Sequence, residues 1–136
     1  MEVKKEKCCG GIILKDGRVL MVHQDNGVFA FPKGHVEGTE SEEQTALREI
    51  KEETGIDVEL ELEKRIELFY HIEESNVDKT VVLFFGKPLS DLKPRAQEGE
   101  ISEALWVKIQ DVEEKLQFKE WKEAWKKAQE TMKEEK

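Results

Sequence analysis

Residues 34–56 read GHVEGTESEEQTALREIKEETGI. Within it Glu49, Glu52 and Glu53 stand at i, i+3 and i+4. On a helix, at about 100° per residue, that spacing gathers three carboxylates within an arc of about 100° on one face. Like charges so placed repel, and a merely solvated helix gains nothing from them. Hard oxygen ligands on one face suit Mg²⁺ or Mn²⁺. Arg48 stands four residues before Glu52 and can help to hold a carboxylate in place. Ahead of the helix, Lys33-Gly34-His35 makes a loop whose backbone can approach a metal or a phosphate, because glycine has no side chain in the way. The plain alternative is a Glu-rich exposed helix, and with 31 acids among 136 residues a lone Glu-Glu pair would mean no more than that. The whole pattern does mean more: Gly34, five residues, Glu40, seven residues, Arg48-Glu49-Ile50, one residue, Glu52-Glu53, one residue, Gly55-Ile56.

Outward from this stretch, short apolar runs alternate with turns. Thr39 with Glu42 fits a capping box, so a first helix is expected over 39–54, with Ala46, Leu47 and Ile50 as its apolar stripe and Gly55 as its end. Upstream, residues 7–14 (KCCGGIIL) read as a strand, Asp16-Gly17 as a hairpin turn and residues 19–23 as the returning strand. A short apolar piece follows over 28–31. Downstream, Val58, Leu60 and Leu62 alternate with acids, and Ile66, Leu68, Tyr70 and Ile72 alternate again, as two half-buried strands should. Residues 80–86 (TVVLFFG) read as a central strand, 88–100 as an irregular loop and 105–109 as a last short strand. Leu116, Trp121, Trp125, Ala128 and Met132 recur at helical spacing, which makes Trp121 and Trp125 core residues of a C-terminal helix. Strands outnumber helices in mixed order, so the expected class is α+β with a mixed sheet, in one domain over 1–136.

Composition bounds the partners. The formal charge of −9 argues against non-specific nucleic-acid or anionic-membrane binding. It leaves a polyphosphate substrate open, because a divalent cation can sit between acidic side chains and an anionic ligand. No window approaches the ~20 apolar residues that a membrane span needs. The N-terminal MEVKKEKCC lacks an apolar signal core, so the cytoplasm is the expected location. Adjacent Cys8 and Cys9 would point to opposite faces of a strand, and no distant cysteine exists to build a disulfide framework or a zinc site.

The spacing over 34–56 matches the signature of the Nudix hydrolases without a break, and the chain resembles that family. The resemblance implies the Nudix fold, a mixed β-sheet sandwiched between α-helices (α/β/α). It also implies Mg²⁺-dependent hydrolysis, with Mn²⁺ as a substitute, of a nucleoside diphosphate linked to another group. Carried over position by position, it implies Glu49 and Glu53 as metal ligands and Glu52 as a ligand or the residue that activates water. The Gly34 carbonyl would complete the metal's shell, and Arg48 and Glu40 would orient the catalytic centre. A further carboxylate that takes the water's proton and joins the metal set is expected at Glu100, on the loop before the last strand, with Glu98 as the alternative.

A looser resemblance, spanning most of the chain, is to the animal-type (asymmetrical) diadenosine tetraphosphate hydrolases. It rests on residues 29–37 (FAFPKGHVE), 67–70 (ELFY), 79–81 (KTV) and 116–120 (LQFKE). It implies cleavage to ATP and AMP, with Tyr70 and Phe118 stacking on adenine and Lys33 and Lys79 meeting phosphates. His35, beside Gly34, is a further candidate phosphate contact. The chain departs from that subgroup at Phe29, where tryptophan is usual, at Gly38-Thr39, which replaces Pro-Gly, and in a shorter segment before Tyr70. Two other functions stay open: a pyrophosphatase acting on oxidised nucleoside triphosphates, and a nucleotide-binding module that kept the fold but lost catalysis.

Overall fold

Asp16 and Gly17 both take positive φ, 49° and 75°, the left-handed pair that a two-residue hairpin turn requires. They join β1 (Lys4–Lys15) to β2 (Arg18–Gln24), with Lys15 opposite Arg18. The computed structural model describes residues 2–99 and 101–133. After β2 come β3 (Phe29–Ala30), β4 (Lys33–His35) and α1 (Glu42–Thr54). Then follow β5 (Val58–Ile72), β6 (Val77–Pro88) and β7 (Ile101–Lys108). A 3-10 turn at Ile109–Asp111, α2 (Val112–Lys115) and α3 (Lys119–Lys133) complete the described chain. No described helix is long and apolar enough to cross a membrane.

The sheet is mixed, as expected. Its order is β3-β2-β1-β6-β5, with β4 paired to β1 and β7 paired to β2. β1 and β6 run parallel over ten register pairs from Lys4↔Val77 to Ile13↔Gly86, while β5 and β6 run antiparallel. Cys8 and Cys9 show the alternation that builds the layers, since both are buried but on opposite faces. Cys8 packs with Ile12, Val81, Leu83, Trp121 and Trp125 beneath α3, and Cys9 packs with Ala46, Val82 and Phe84 beneath α1. The sheet is thus sandwiched between helices, the α/β/α order of an α+β fold.

Three local expectations are corrected. The first helix begins at Glu42, with Ser41 as N-cap. The reciprocal capping bonds are Gln44 N–H to Ser41 Oγ (3.1 Å) and Ser41 N–H to Gln44 Oε1 (2.9 Å), not a Thr39–Glu42 pair. Glu40 is the reason, because its carboxylate accepts from Glu37 N–H and Thr45 Oγ1 and so holds residues 37–40 as a turn ahead of the helix. The end was read correctly: Gly55 has φ 74° and its N–H bonds the Lys51 carbonyl at 2.8 Å. The expected pair of strands over 58–72 is one strand, with a register break between Glu61 and Arg65. Because an odd shift inverts the faces, and residues 62–64 are left out of the pairing, the break moves Val58 and Leu60 to the α1 side and Ile66 and Leu68 to the α3 side. Leu62, inside the break, is 49% exposed rather than half-buried in a ladder. Finally, residues 33–35, read as a loop, form β4, which pairs Cys8↔His35, Cys9↔Gly34 and Gly10↔Lys33.

Candidate active site

The face of α1 that carries the acids turns toward β4, and Arg48 is its hub. The guanidinium donates Nε–H to Glu40 Oε2 at 2.7 Å and an Nη2 proton to Glu40 Oε1 at 2.9 Å, a two-pronged grip. Its Nη1 donates to Glu49 at 2.6 Å and to Glu52 at 3.2 Å, and Nη2 reaches the His35 carbonyl at 3.0 Å. Glu37 Oε2 lies 3.6 Å from Nη2, which makes Glu37 the fifth residue to offer oxygen to the guanidinium. The grip holds the Glu40 carboxyl well below the usual carboxylate range, at about 2, with Arg48 the largest cause. Glu49 moves the other way: burial raises its pKa, and the neighbouring Arg48 opposes the shift without cancelling it. The three helix acids are thus graded in exposure, Glu53 at 7%, the Glu49 side chain at 15% and the Glu52 side chain at 45%.

β4 supplies the opposite wall. The Lys33 N–H donates to Glu53 Oε1 at 3.2 Å. A Cβ at position 34 would overlap the Glu49 carboxylate, so glycine is required here by space, its φ lying outside the left-handed region. His35 Nε2 pairs with Glu6 Oε1 at 3.1 Å, which lowers the Glu6 pKa. Among the described residues the acids do not converge as a ready-made cluster of three ligands, since Arg48 holds Glu49 and Glu52. Even so, the donors fit a hard divalent cation: carboxylate oxygens on successive turns of one helix, facing a backbone that has room only for glycine.

A cavity of about 420 Å³ brings together Lys33, Gly34, His35, Glu49, Glu52, Glu53 and Lys79. These seven sequence candidates therefore share one place. Tyr70 sits opposite Lys79 in the β5–β6 ladder and lines a second groove, of about 550 Å³, with Phe118, Trp121 and Glu120. Tyr70 is half-buried, and burial pushes its hydroxyl up to about 12, whereas Phe118 at 51% exposure is available to a ligand. Lys33 has its ammonium 5.5 Å from the centre of the Trp121 ring, and burial lowers its pKa below the usual lysine range. Trp121, read from sequence as a core residue, is at once core and groove wall. Glu100 lies outside the described residues, and Glu98 is exposed on the turn before it. The loop contributes Gln97 to the cavity, tied down by its N–H to the Glu53 carbonyl at 3.3 Å. Cys8 also lines it. Neither Gln97 nor Cys8 carries a sequence signal of its own, because the tertiary path of a loop and a strand brings them there.

A NUDIX domain model matches residues 8–129. An ADP-ribose pyrophosphatase of Methanocaldococcus jannaschii is 48% identical over 50 residues, 34% of this chain and 30% of that protein. The asymmetrical bis(5'-nucleosyl)-tetraphosphatase of Sus scrofa is 55% identical over 40 residues, 28% of this chain and 27% of that protein. The chain spans 27% to 37% of the length of the curated relatives it matches. Among solved structures, a C. elegans Ap4A hydrolase binary complex superposes with a TM-score of 0.81 at 23% identity, covering 93% of this chain and 97% of that one. That likeness carries the fold from end to end, while the two short alignments bear different substrate names. With the helix acids, the Arg48 hub and the glycine cradle all on a fold of this kind, the chain belongs to the Nudix family.

Proposed function

We propose that the protein hydrolyses a phosphoanhydride bond in a nucleoside diphosphate derivative, with Mg²⁺ as cofactor, and that its substrate is diadenosine tetraphosphate, cut to ATP and AMP. The observation that carries the reading is the joining of two chemistries on one surface. The carboxylate cavity holds Lys33 and Lys79, and next to it lies a groove walled by Tyr70, Phe118 and Trp121. Phosphates need the first and a purine ring the second, because an aromatic wall holds any base by its face.

Glu49, Glu53 and Glu52, with the carbonyl of Gly34, would hold the cation. Held there, a divalent cation would neutralise phosphate oxygens and lower the pKa of a water. The chain's own residues do the rest. Arg48 keeps the acids aimed, with Glu40 as its anchor. Lys33, Lys79 and His35 meet the phosphate oxygens. Glu52, the most exposed of the three helix acids, or Glu100 takes the water's proton. Tyr70 and Phe118 hold adenine between them. The tetraphosphatase among the relatives supports this choice, beside relatives named for an ADP-ribose pyrophosphatase and a putative mutator protein.

The test is a product analysis. Purified protein with Mg²⁺ is incubated with diadenosine tetraphosphate, oxidised dGTP and ADP-ribose, beside a Glu53→Gln variant, and the products are resolved by chromatography. ATP plus AMP, abolished in the variant, is the expected result. Monophosphate plus pyrophosphate from the oxidised triphosphate would overturn the substrate, and absence of metal-dependent turnover on the whole panel would overturn the reaction.

A further inference from the structure

Trp121 is 8% exposed and belongs to the core beneath α3, where its ring is braced by Phe31 with centroids 6.1 Å apart. A core tryptophan needs no further explanation, but this one touches both halves of the site. It walls the aromatic groove with Tyr70 and Phe118, and its ring lies 5.5 Å from the ammonium of Lys33, which lines the carboxylate cavity. The Lys33 backbone is fixed on both sides, by pairing with Gly10 across the β1–β4 ladder and by its N–H to Glu53. Only the side chain is left to be aimed. A long lysine side chain loses rotamer freedom when it is held, so something must offset that cost. A carboxylate partner would hold the ammonium but largely cancel its charge toward a phosphate. An aromatic face attracts the cation through its quadrupole and adds no neutralising charge of its own.

We propose that Trp121 is a positioning residue that holds the Lys33 ammonium toward the phosphate cavity, so that phosphate binding and the aromatic groove are linked through one contact. This rests on the reading of that cavity as a phosphate site, though not on which nucleotide is cut. Trp121 acts through Lys33 and touches no reacting atom.

The experiment is a double-mutant cycle read by calorimetric titration with inorganic triphosphate in the presence of Mg²⁺, a probe without a base. Trp121→Leu stays apolar but removes the aromatic face, Trp121→Phe keeps a face, and Lys33→Met removes the cation. Thermal melts and far-UV circular dichroism accompany each variant, and Trp121→Phe keeps the test open if Trp121→Leu folds poorly. In the otherwise unaltered chain, Trp121→Leu is expected to weaken binding about fivefold and Trp121→Phe by less than about twofold, the scale of one cation–π contact. In the Lys33→Met background, Trp121→Leu is expected to do nothing more. An equal loss in both backgrounds, or no loss in either, overturns the proposal by reducing Trp121 to packing. Failure of the unaltered chain to bind triphosphate overturns both the phosphate site and the proposal. Triphosphate binding with the expected coupling, but no cleavage of diadenosine tetraphosphate, would sink the substrate choice and leave Trp121 in its role.

Discussion

Replacing Gly34 by alanine adds one methyl group, and the structure says what that group meets. The three nearest atoms to a Cβ at this position all belong to the Glu49 carboxyl group, and none is backbone. The strand can therefore stay in place while Glu49 must move. Moving it breaks the 2.6 Å bond from Arg48 Nη1 to Glu49 Oε1. A hydrogen bond to a charged group contributes about 1.5–3 kcal/mol. Arg48 keeps its two bonds to Glu40 and the one to the His35 carbonyl, and a displaced carboxylate regains some water. The expected net loss is about 1–2 kcal/mol, or about 3–6 °C in the melting midpoint for a chain of this size. Activity should fall far more, by about 100-fold or beyond, because a ligand-bearing side chain is displaced by more than its tolerance. The assays are thermal denaturation and metal-dependent turnover, repeated in a Glu49→Ala background. There the clash partner is gone, and Gly34→Ala should be near neutral in stability or slightly favourable through the unfolded chain. An equal stability loss with and without Glu49 would refute the steric argument.

Gly10→Ala is the contrasting case: its Cβ would run into the Pro32 carbonyl oxygen and the Lys33 backbone, which cannot swing aside. It should cost about 3 kcal/mol or more in chemical denaturation, and a cost under about 1 kcal/mol would contradict the tight β1–β4 contact. Glu40 should titrate at about 2 by carboxyl NMR, chiefly because of its Arg48 hydrogen bonds, and should move up toward 4.5 in Arg48→Met. Its folded pKa lies below its unfolded value, so its contribution to stability is complete above about pH 4.5 and drains away as the pH falls toward 2. A midpoint near 4.5 in the unaltered protein would show that the pair does not form. Cys8 and Cys9 are buried with thiols raised by desolvation, Cys9 to about 11. A thiol reagent at pH 8 should label neither in the native protein and both after denaturation, and rapid native labelling of either would contradict that burial.

The parts of the molecule that could be read in advance are those set by neighbours in sequence. Glu49, Glu52 and Glu53 fall on one helix face because their spacing alone determines it, and Gly55 ends the helix because the left-handed turn there suits glycine. Asp16-Gly17 fixes the first hairpin for the same kind of reason. The alternation of Cys8 and Cys9 across the sheet needed only the pleat. The start of α1 departs from the expected frame because two capping frames overlap, Thr39 with Glu42 and Ser41 with Gln44, and both satisfy the local rule. The choice between them is made by Glu40, whose carboxylate is claimed by Arg48 eight residues further on.

β5 failed for a deeper reason. Val58, Leu60, Ile66 and Leu68 share one parity in sequence, yet they bury on opposite faces because residues 62–64 slip the register against β6. Nothing within the strand announces that slip, which shows only in its pairing with β6. The same holds at the site. The sequence by itself determined the acidic face, its arginine, the glycine opposite it and the family to which they belong, because these lie within one short contiguous stretch whose geometry a single helix dictates. Only the tertiary structure brought Lys79 and Tyr70 side by side from two strands, drew Gln97 into the cavity and set Trp121 against Lys33. Those contacts join residues far apart in sequence, and their positions follow from strand register, sheet order and helix packing, which are properties of the assembled chain and of no single segment.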